Sequence, residues 1–201
     1  MPERDWKVNR LDVFSDANQD TMAACVYLVS DGKANLLIAQ TKMRPLKANM
    51  TIPKMELNAY VMGIPTCATV CREMGERIDV KTLVCFTDSQ IALGWIQMPG
   101  SPKDQGVYVS NRWQTFRNTC AALSEDFGVQ RVKVAYVNTS LNPADCATRG
   151  LSKSELVEHF WWTGPEFIVK PEDEWPEEST PSFPTPEKNV EEVFDGSDYD
   201  A

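Results

Sequence analysis

Four acidic residues, Asp16, Glu56, Asp88 and Asp145, are the side chains of this sequence whose types and surroundings could do chemistry. Each lies beside or within an apolar stretch, where a carboxylate is costly unless a cation or hydrogen bonds offset its charge. Oxygen ligands without accompanying His or Cys suit magnesium. A pair of such ions, roughly 4 Å apart, is a common device for cutting phosphodiesters. The residue types therefore predict a site for two Mg²⁺ ions and a phosphodiesterase chemistry.

Each acid also has an interpretation without chemistry. Asp16 could be only a turn residue before Asn18, and Glu56 only a solvated acid on a helix. Asp88 could only cap the helix that follows it, and Asp145 could only complement the dipole of a helix N-terminus. Metal binding accounts for all four together, because close carboxylates raise one another's pKa unless counter-ions are present.

The spacing of apolar residues predicts the element order β-β-β-α-β-α-α-β-α, which is typical of a mixed sheet with helices on both faces. Asp31-Gly32 between two apolar runs indicates a β-hairpin, because glycine supplies the positive φ of a tight turn. A buried helix is expected after Thr51, which is a capping candidate, and Pro65 should kink or interrupt it. The expected strands are 11–16, 21–29, 36–41, 82–87 and 129–137, and the later helices run from 89 to 95, from 108 to 126 and from 142 onward.

This layout places the four acids at the ends of strands and near the starts of helices. Asp16 and Asp88 end strands, whereas Glu56 lies about one turn into a helix and Asp145 lies in the first turn of the last helix. Carboxylates at strand ends and helix starts can converge at one edge of a sheet although they are far apart in sequence. We therefore expect the four carboxylates to meet at one edge of the sheet.

Charge and composition divide the 201 residues into three parts. Residues 9–150 form the expected folded domain, and residues 151–169 add a Trp-rich extension that should pack on it. Residues 170–201 are rich in proline and acids, so a disordered tail or linker is expected. From residue 171 onward there are eleven acids and one lysine, whereas the other 170 residues hold 19 basic and 18 acidic side chains. The folded part is thus nearly neutral and could meet a polyanion through a local basic patch.

Other function classes find little support in the sequence. No window reaches the roughly 18 consecutive apolar residues of a membrane span, so no membrane partner is expected. The N-terminus lacks the apolar core of a signal peptide, which predicts an intracellular, cytoplasmic protein. The six cysteines form no Cys-x-x-Cys pair and lie mostly in apolar runs, which favours reduced core residues over zinc ligands or disulfides. With His159 as the one histidine, a His-based zinc site is not expected.

Several motifs resemble the ribonuclease H region of BEL/Pao-type retrotransposon polyproteins. The resemblance runs in consistent order from about residue 10 to residue 168. It rests on Phe-Ser-Asp-Ala (14–17), Ile-Pro-Lys-Met-Glu-Leu (52–57), Phe-Thr-Asp-Ser (86–89), Val-Ser-Asn-Arg (109–112), Leu-Asn-Pro-Ala-Asp-Cys-Ala-Thr-Arg-Gly (141–150) and Trp-Trp-Thr-Gly-Pro (161–165).

The resemblance implies an α/β ribonuclease H-like fold with a mixed five-stranded sheet and helices on both faces. It implies an endonuclease that cuts the RNA strand of RNA–DNA hybrids during reverse transcription, with Asp16, Glu56, Asp88 and Asp145 holding two Mg²⁺ ions, for which Mn²⁺ can substitute. It also implies neighbouring reverse transcriptase and integrase domains within a polyprotein, and an intracellular setting that includes virus-like particles.

One departure from related enzymes leaves an alternative function open. Many cellular ribonucleases H have a histidine in the loop before the last acid, whereas residues 138–141 are Asn-Thr-Ser-Leu. Several retroelement ribonucleases H also lack it, so activity is compatible with this loop. The alternative is a catalytically silent module of the same fold with a structural or interaction role in a domesticated host protein or a polyprotein.

Residues beside the acids are candidates for contacts with nucleic acid. Ser89 and Gln90 begin a helix next to Asp88 and could reach the minor groove of a hybrid, where the 2′-hydroxyl marks the RNA strand. Asn18 could contribute similarly. The basic residues before and after the start of the first helix could hold phosphates, or could simply form a solvated surface. The candidates among them are Arg44, Lys47 and Lys54.

Overall fold

The computed structural model describes residues 8–45 and 50–184. They form a five-stranded sheet with the strand order β3-β2-β1-β4-β5. The strands are β1 Val8–Ala17, β2 Thr21–Ser30, β3 Lys33–Met43, β4 Asp79–Thr87 and β5 Arg131–Tyr136. The helices are α1 Ile52–Met74, α2 Gln90–Gln97, α3 Val107–Phe127, α4 Ala144–Arg149 and α5 Lys153–Glu158. The predicted element order is confirmed up to α4, and α5 follows it.

The sheet is mixed because β1, β2 and β3 pair antiparallel whereas β1, β4 and β5 pair parallel. Asp31 and Gly32 join β2 to β3 as a two-residue turn, and both have positive φ, at 55° and 67°. That geometry is the one the Asp-Gly pair predicted. The parallel pairing of β1 with β4 brings the carboxyl ends of these two strands side by side.

The two faces of the sheet carry separate apolar clusters, as expected for helices on both sides. Leu11 and Val13 of β1 lie on the face of the sheet that α1 and α3 cover. Phe14 points to the opposite face, where it stacks on Phe86 of β4 with ring centroids 4.5 Å apart. The alternation of β1 thus buries both sides of this strand, which is typical of the centre of a sheet.

Helix α1 lies close against the sheet and differs in two details from the prediction. Pro65 lies inside a helix that is continuous from residue 52 to 74, so the expected interruption does not occur. Thr51 occupies the N-cap position, but its side chain makes no capping hydrogen bond. Gly63 allows the close packing, because a Cβ atom there would lie 2.6 Å from Val13 Cγ1.

The C-terminal segment differs from the expectation of a disordered tail beginning at residue 170. Trp175 is only 6% exposed and packs between Phe86 and Phe167, with ring centroids 5.7 and 5.3 Å away. Ser182 makes two backbone hydrogen bonds with Val134 at the outer edge of β5, at 2.8 and 2.9 Å. Acid and proline content suggested disorder, but one buried indole and these bonds order residues 170–184. The rest of the predicted tail lies outside the described residues.

Ion pairs help to hold this segment on the sheet. Lys133 of β5 contacts both carboxylate oxygens of Glu172, at 2.8 and 2.6 Å. Arg10 of β1 donates to the carbonyl of Ile168 and lies 4.9 Å above the ring of Trp175. Acidic side chains of the segment are therefore not all solvated.

Residues 151–169 lie against β2 and β3. The hydroxyl of Tyr27 donates to the carbonyl of Trp161 at 2.7 Å, and the N–H of Leu36 donates to the carbonyl of Trp162 at 3.0 Å. The side chain of Trp161 packs in the apolar cluster, whereas Trp162 is 51% exposed. No helix in the described part of the chain combines the length and apolarity needed to cross a membrane.

Candidate metal centre

The carboxyl ends of β1 and β4 and the start of α1 bring three of the four acids together. Asp16 is the penultimate residue of β1, Glu56 is in the second turn of α1, and Asp88 directly follows β4. One carboxylate oxygen from each residue lies within 4.8 Å of the other two. We call Asp16, Glu56 and Asp88 the acidic cluster.

Burial makes the acidic cluster electrostatically costly without a cation. Asp16 is 6% exposed and Glu56 is 8% exposed. Desolvation, opposed by a hydrogen bond from Thr148 and reinforced by the charge of Asp88, raises the pKa of Asp16 to about 6. Desolvation and the charges of Asp16 and Asp88 raise the pKa of Glu56 to about 9. At neutral pH, Glu56 therefore holds a proton unless a cation replaces it.

Asp145 lies beside the acidic cluster but is not one of the three residues with oxygens within 4.8 Å. It is in the first turn of α4, and its carboxylate pairs with Arg149 one turn later, with Nε 2.8 Å from Oδ1. Its pKa is raised by desolvation, lowered by Arg149 and raised by Asp88. Asp145 is therefore close enough to be coupled to the cluster, while its own charge is partly offset by Arg149.

Two threonine hydroxyls that sequence reasoning missed donate to the cluster. Thr148 Oγ1 of α4 donates to Asp16 Oδ2. Thr139 Oγ1, in the turn after β5, donates to Asp88 Oδ2 at 2.6 Å. A helical signal could have revealed Thr148, because it lies three residues after Asp145 and so on the same face of α4. No comparable signal exists for Thr139, whose contact depends on the tertiary fold.

Asn142 joins the turn after β5 to the strand that carries Asp16. It is 2% exposed, and its Nδ2 donates to the carbonyl of Ser15 at 2.9 Å. Its Oδ1 accepts from the N–H of Ala144, the first residue of α4, at 3.1 Å, although Pro143 rather than the predicted Asn142 occupies the N-cap position. Ser15 in turn donates to the carbonyl of Phe86 on β4 at 3.1 Å. These bonds fix the relative positions of β1, β4 and α4 around the acids.

The predicted nucleic-acid contacts near the acids occupy different environments. Asn18 is engaged within the protein: its Nδ2 donates to the carbonyl of Thr148, and its Oδ1 accepts from the N–H and hydroxyl of Thr21, each at 2.9 Å. Ser89 is the N-cap of α2 and accepts from the N–H of Ala92 at 3.3 Å. Gln90, the next residue, is exposed and lies two positions from Asp88.

The predicted phosphate contacts are partly described. Arg44 follows β3 and lies 4.0 Å from a carboxylate oxygen of Asp20. Lys54 is in the first turn of α1, with its Nζ 5.9 Å from the ring centre of Tyr108. Lys47 lies outside the described residues.

The donor set of the acidic cluster fits a divalent cation that prefers oxygen. All three ligand candidates are carboxylates, which suits Mg²⁺ or Mn²⁺ rather than Zn²⁺. Glu56 Oε2 is buried and has no hydrogen-bond partner among the described residues. A buried carboxylate oxygen without a partner is costly, and a cation between the three acids would offset that cost.

Comparison with known proteins gives a family match over part of the chain and a fold. Residues 2–89 match the family model of the Pao retrotransposon-like RNaseH-like domain. The matched part contains Asp16, Glu56 and Asp88, whereas Asp145 follows it. A comparison with curated protein sequences gave no match.

Solved structures of ribonucleases H resemble this chain at low sequence identity. The N-terminal RNase H domain of Rv2228c from Mycobacterium tuberculosis, solved as a fusion with maltose binding protein, is 10% identical, with a TM-score of 0.50 over 70% of this chain and 91% of that chain. RNase H1 from Halobacterium salinarum NRC-1 is 12% identical, with a TM-score of 0.46 over 75% and 98%. LC11-RNase H1 in complex with an RNA/DNA hybrid is 11% identical, with a TM-score of 0.49 over 74% and 99%.

The mixed five-stranded sheet with helices on both faces, together with the Mycobacterium tuberculosis domain, confirms the predicted ribonuclease H-like fold. The match over residues 2–89, which is less than half of the 201 residues, also confirms the resemblance on which that prediction rested.

Proposed function

We propose that this chain is a metal-dependent endonuclease that cleaves the RNA strand of RNA–DNA hybrids during reverse transcription of a BEL/Pao-type retrotransposon. The observation that carries the proposal is that Asp16 and Asp88, at the carboxyl ends of two parallel strands, and Glu56 of α1 have carboxylate oxygens within 4.8 Å of one another. A silent module has no need for buried carboxylates that repel one another, and the cost of keeping them argues for a bound cation.

Asp16, Glu56 and Asp88 would hold the divalent ions, and Asp145 would complete the set from α4. When bound, two Mg²⁺ or Mn²⁺ ions supply activation of the attacking water and charge stabilisation at the scissile phosphate. The protein supplies the positions of the carboxylates, which are fixed by the ends of β1 and β4 and by the helices α1 and α4. No side chain of the cluster has to act as a nucleophile.

Glu56 has a second task that follows from its protonation. Because its pKa is raised to about 9, its carboxyl is neutral at pH 7 in the absence of a cation. This neutral form lets the fold tolerate three adjacent acids before a cation arrives. A bound cation would displace this proton, so that Glu56 would carry its negative charge only when the cation is present.

The residues around the cluster suggest how a hybrid is held. Gln90 is exposed beside Asp88 and can reach the minor groove, while Ser89 orients the start of α2 as its N-cap. Lys54 and Arg44 would contact phosphates, together with Lys47. Asn18 supports the site indirectly, because both ends of its amide are engaged by the turn before β2 and by α4.

The resemblance to retrotransposon domains also supports a setting for this activity. We propose that the domain acts within a polyprotein beside reverse transcriptase and integrase. Cleavage of the RNA strand would then follow synthesis of the hybrid by the neighbouring polymerase.

Hybrid cleavage tests the proposal directly. The chain is incubated with a labelled RNA–DNA hybrid in Mg²⁺ or Mn²⁺, beside single-stranded RNA, double-stranded RNA and double-stranded DNA of the same sequence. We expect cleavage of the RNA strand of the hybrid only. Asp88→Asn should lower the rate by roughly 100-fold or more, because several kcal/mol of charge stabilisation depend on the metal site.

Asp126→Asn is the matched control, because Asp126 is an exposed acid near the end of α3. It should cleave as the parent does. An absence of cleavage by the parent with either metal would favour the silent module, and equal loss in both variants would show that the effect is not specific to the cluster.

A further inference from the structure

Two threonine hydroxyls donate to the acidic cluster, and the proposed chemistry gives them no role. Thr148 and Thr139 each donate to one acid of the cluster, and in both acids the oxygen engaged is Oδ2. The two threonines belong to different elements, α4 and the turn that precedes it. Two independent elements therefore make the same kind of contact with two different acids.

Thr148 is held from several sides. Its hydroxyl also lies 3.0 Å from the carbonyl of Asp145, and its own carbonyl accepts from Asn18 Nδ2 at 2.9 Å. The hydroxyl of Thr21 approaches the same carbonyl at 3.4 Å. Thr148 therefore cannot move without disturbing both α4 and the turn between β1 and β2. Because the position of this hydroxyl is fixed, it holds the carboxylate of Asp16 in one orientation.

Thr139 is fixed by the short turn in which it lies. Asn138 precedes the turn, and its Oδ1 accepts from the N–H and the hydroxyl of Ser140, at 3.1 and 2.9 Å. Asn142 closes the turn and ties it to β1. Thr139 itself is exposed, so water competes for its contact with Asp88 more than for the contact of Thr148.

We propose that Thr148 and Thr139 are positioning residues of the metal site: each fixes one oxygen of its acid and leaves the other oxygen presented to a divalent cation. This inference rests on the proposed function, since it assigns a role toward the same cations. Thr139 lies in residues 138–141, the loop that contains no histidine. In this proposal the loop contributes to the site by orienting the carboxylate of Asp88 rather than by supplying an imidazole.

The physical basis is the general behaviour of groups that hold metal ligands. Hydrogen bonds to ligating carboxylates restrict their orientations, and removing such partners typically costs about 10- to 100-fold in metal affinity or activity. Fixed orientation matters most where several like charges must meet one cation, because a misplaced carboxylate repels its neighbours without contributing a bond.

Valine and serine variants separate positioning from packing. Thr148→Val and Thr139→Val keep the shape but remove the hydroxyl, whereas Thr148→Ser and Thr139→Ser keep the hydroxyl. Thr119→Val is the control, because Thr119 Oγ1 donates at 2.8 Å to a carbonyl within its own helix α3. Mn²⁺ binding is measured by calorimetry without substrate, and kcat and KM for a hybrid are measured as a function of Mn²⁺ concentration.

We expect Thr148→Val to weaken Mn²⁺ affinity by roughly 10-fold or more and Thr139→Val by about 3-fold, since the second contact is exposed. Both serine variants should return to within about 2-fold of the parent, and KM for the hybrid at saturating Mn²⁺ should stay unchanged. Parent-like Mn²⁺ affinity in both valine variants would overturn the proposal, as would serine variants as weak as the valine ones.

The two readouts keep this proposal separate from the nuclease proposal. Weaker Mn²⁺ binding in the valine variants, with no hybrid cleavage by the parent, would support the positioning role and refute the proposed enzyme. Thermal midpoints measured without metal identify a variant that fails to fold. In that event the serine variant of the same position carries the test, because it must match the parent in Mn²⁺ affinity.

Discussion

Glu56 offers a prediction in which the metal-free protein gains stability from losing a residue of its proposed site. The pKa of Glu56 is raised from 4.5 to about 9. Between these values the folded protein holds a proton that the unfolded chain releases, so the free energy of unfolding falls as pH rises, by about 1.4 kcal/mol per pH unit. At pH 7 the accumulated cost is about 3 kcal/mol.

Glu56→Gln removes this titration while keeping the shape of the side chain. In the presence of a chelator, the variant should be more stable than the parent by about 2–3 kcal/mol at pH 7, and the difference should shrink toward pH 5. The slope is best measured between pH 6.5 and 8.5, because Asp12 and Asp16, whose pKa values are both about 6, change the slope only at lower pH. Urea denaturation at each pH gives the free energies.

Glu73→Gln is the matched control, because Glu73 is an exposed glutamate of the same helix α1. It should leave both the stability and its pH dependence unchanged. Adding Mn²⁺ should reverse the order, since the parent gains more stabilisation from the cation than Glu56→Gln does. A Glu56→Gln variant no more stable than the parent at pH 8 in chelator would refute the reasoning that burial and repulsion make this carboxylate costly.

Three further outcomes follow from the packing. Deleting residues 171–201 should lower the free energy of unfolding by at least about 3–5 kcal/mol, because it removes a buried tryptophan. Deleting residues 185–201 keeps every contact of the described residues and should leave the thermal midpoint unchanged. This shorter deletion should also strengthen hybrid binding at low salt. Gly63→Ala should lower the free energy of unfolding by about 1–3 kcal/mol in denaturant titrations, because its Cβ would overlap a valine of β1. Arg10→Met should cost about 3–5 kcal/mol, because it leaves Asp12 buried without its partner, and a variant that also carries Asp12→Leu should recover most of that loss.

The sequence was sufficient to predict the fold because its strong signals are local or periodic. The Asp31-Gly32 turn and the apolar run 83–86 of β4 identify their elements without knowledge of tertiary contacts. The sequence predicted that carboxylates at strand ends and helix starts would meet at one edge of the sheet. The parallel pairing of β1 with β4, which brings Asp16 beside Asp88, is seen only in the structure. Asp145 was expected with them, but it stands slightly apart and pairs with a cation of its own helix.

What could not be predicted depends on contacts between distant parts of the chain. Thr139 meets Asp88 across 51 positions, and no pattern within the turn indicates that contact. The order of residues 170–184 was missed because an average over acids and prolines hides the one indole that anchors them. The buried ion pair of Asp12 was not predicted, because the sequence does not indicate whether Arg10, two positions away, will bind its carboxylate.

Strand β1 connects the stability of the domain to its proposed chemistry. Asp12, Phe14 and Asp16 alternate onto one face of the strand, and a different part of the chain satisfies each of them. Arg10 pairs with Asp12 and lies over the ring of Trp175 in the C-terminal segment. Phe14 stacks on Phe86, and Thr148 of α4 donates to Asp16. The C-terminal segment therefore shields the same face of β1 that ends in the acidic cluster. Ending the chain at residue 170 would remove Trp175 from this face, which lies opposite α1, and would weaken the domain on that side.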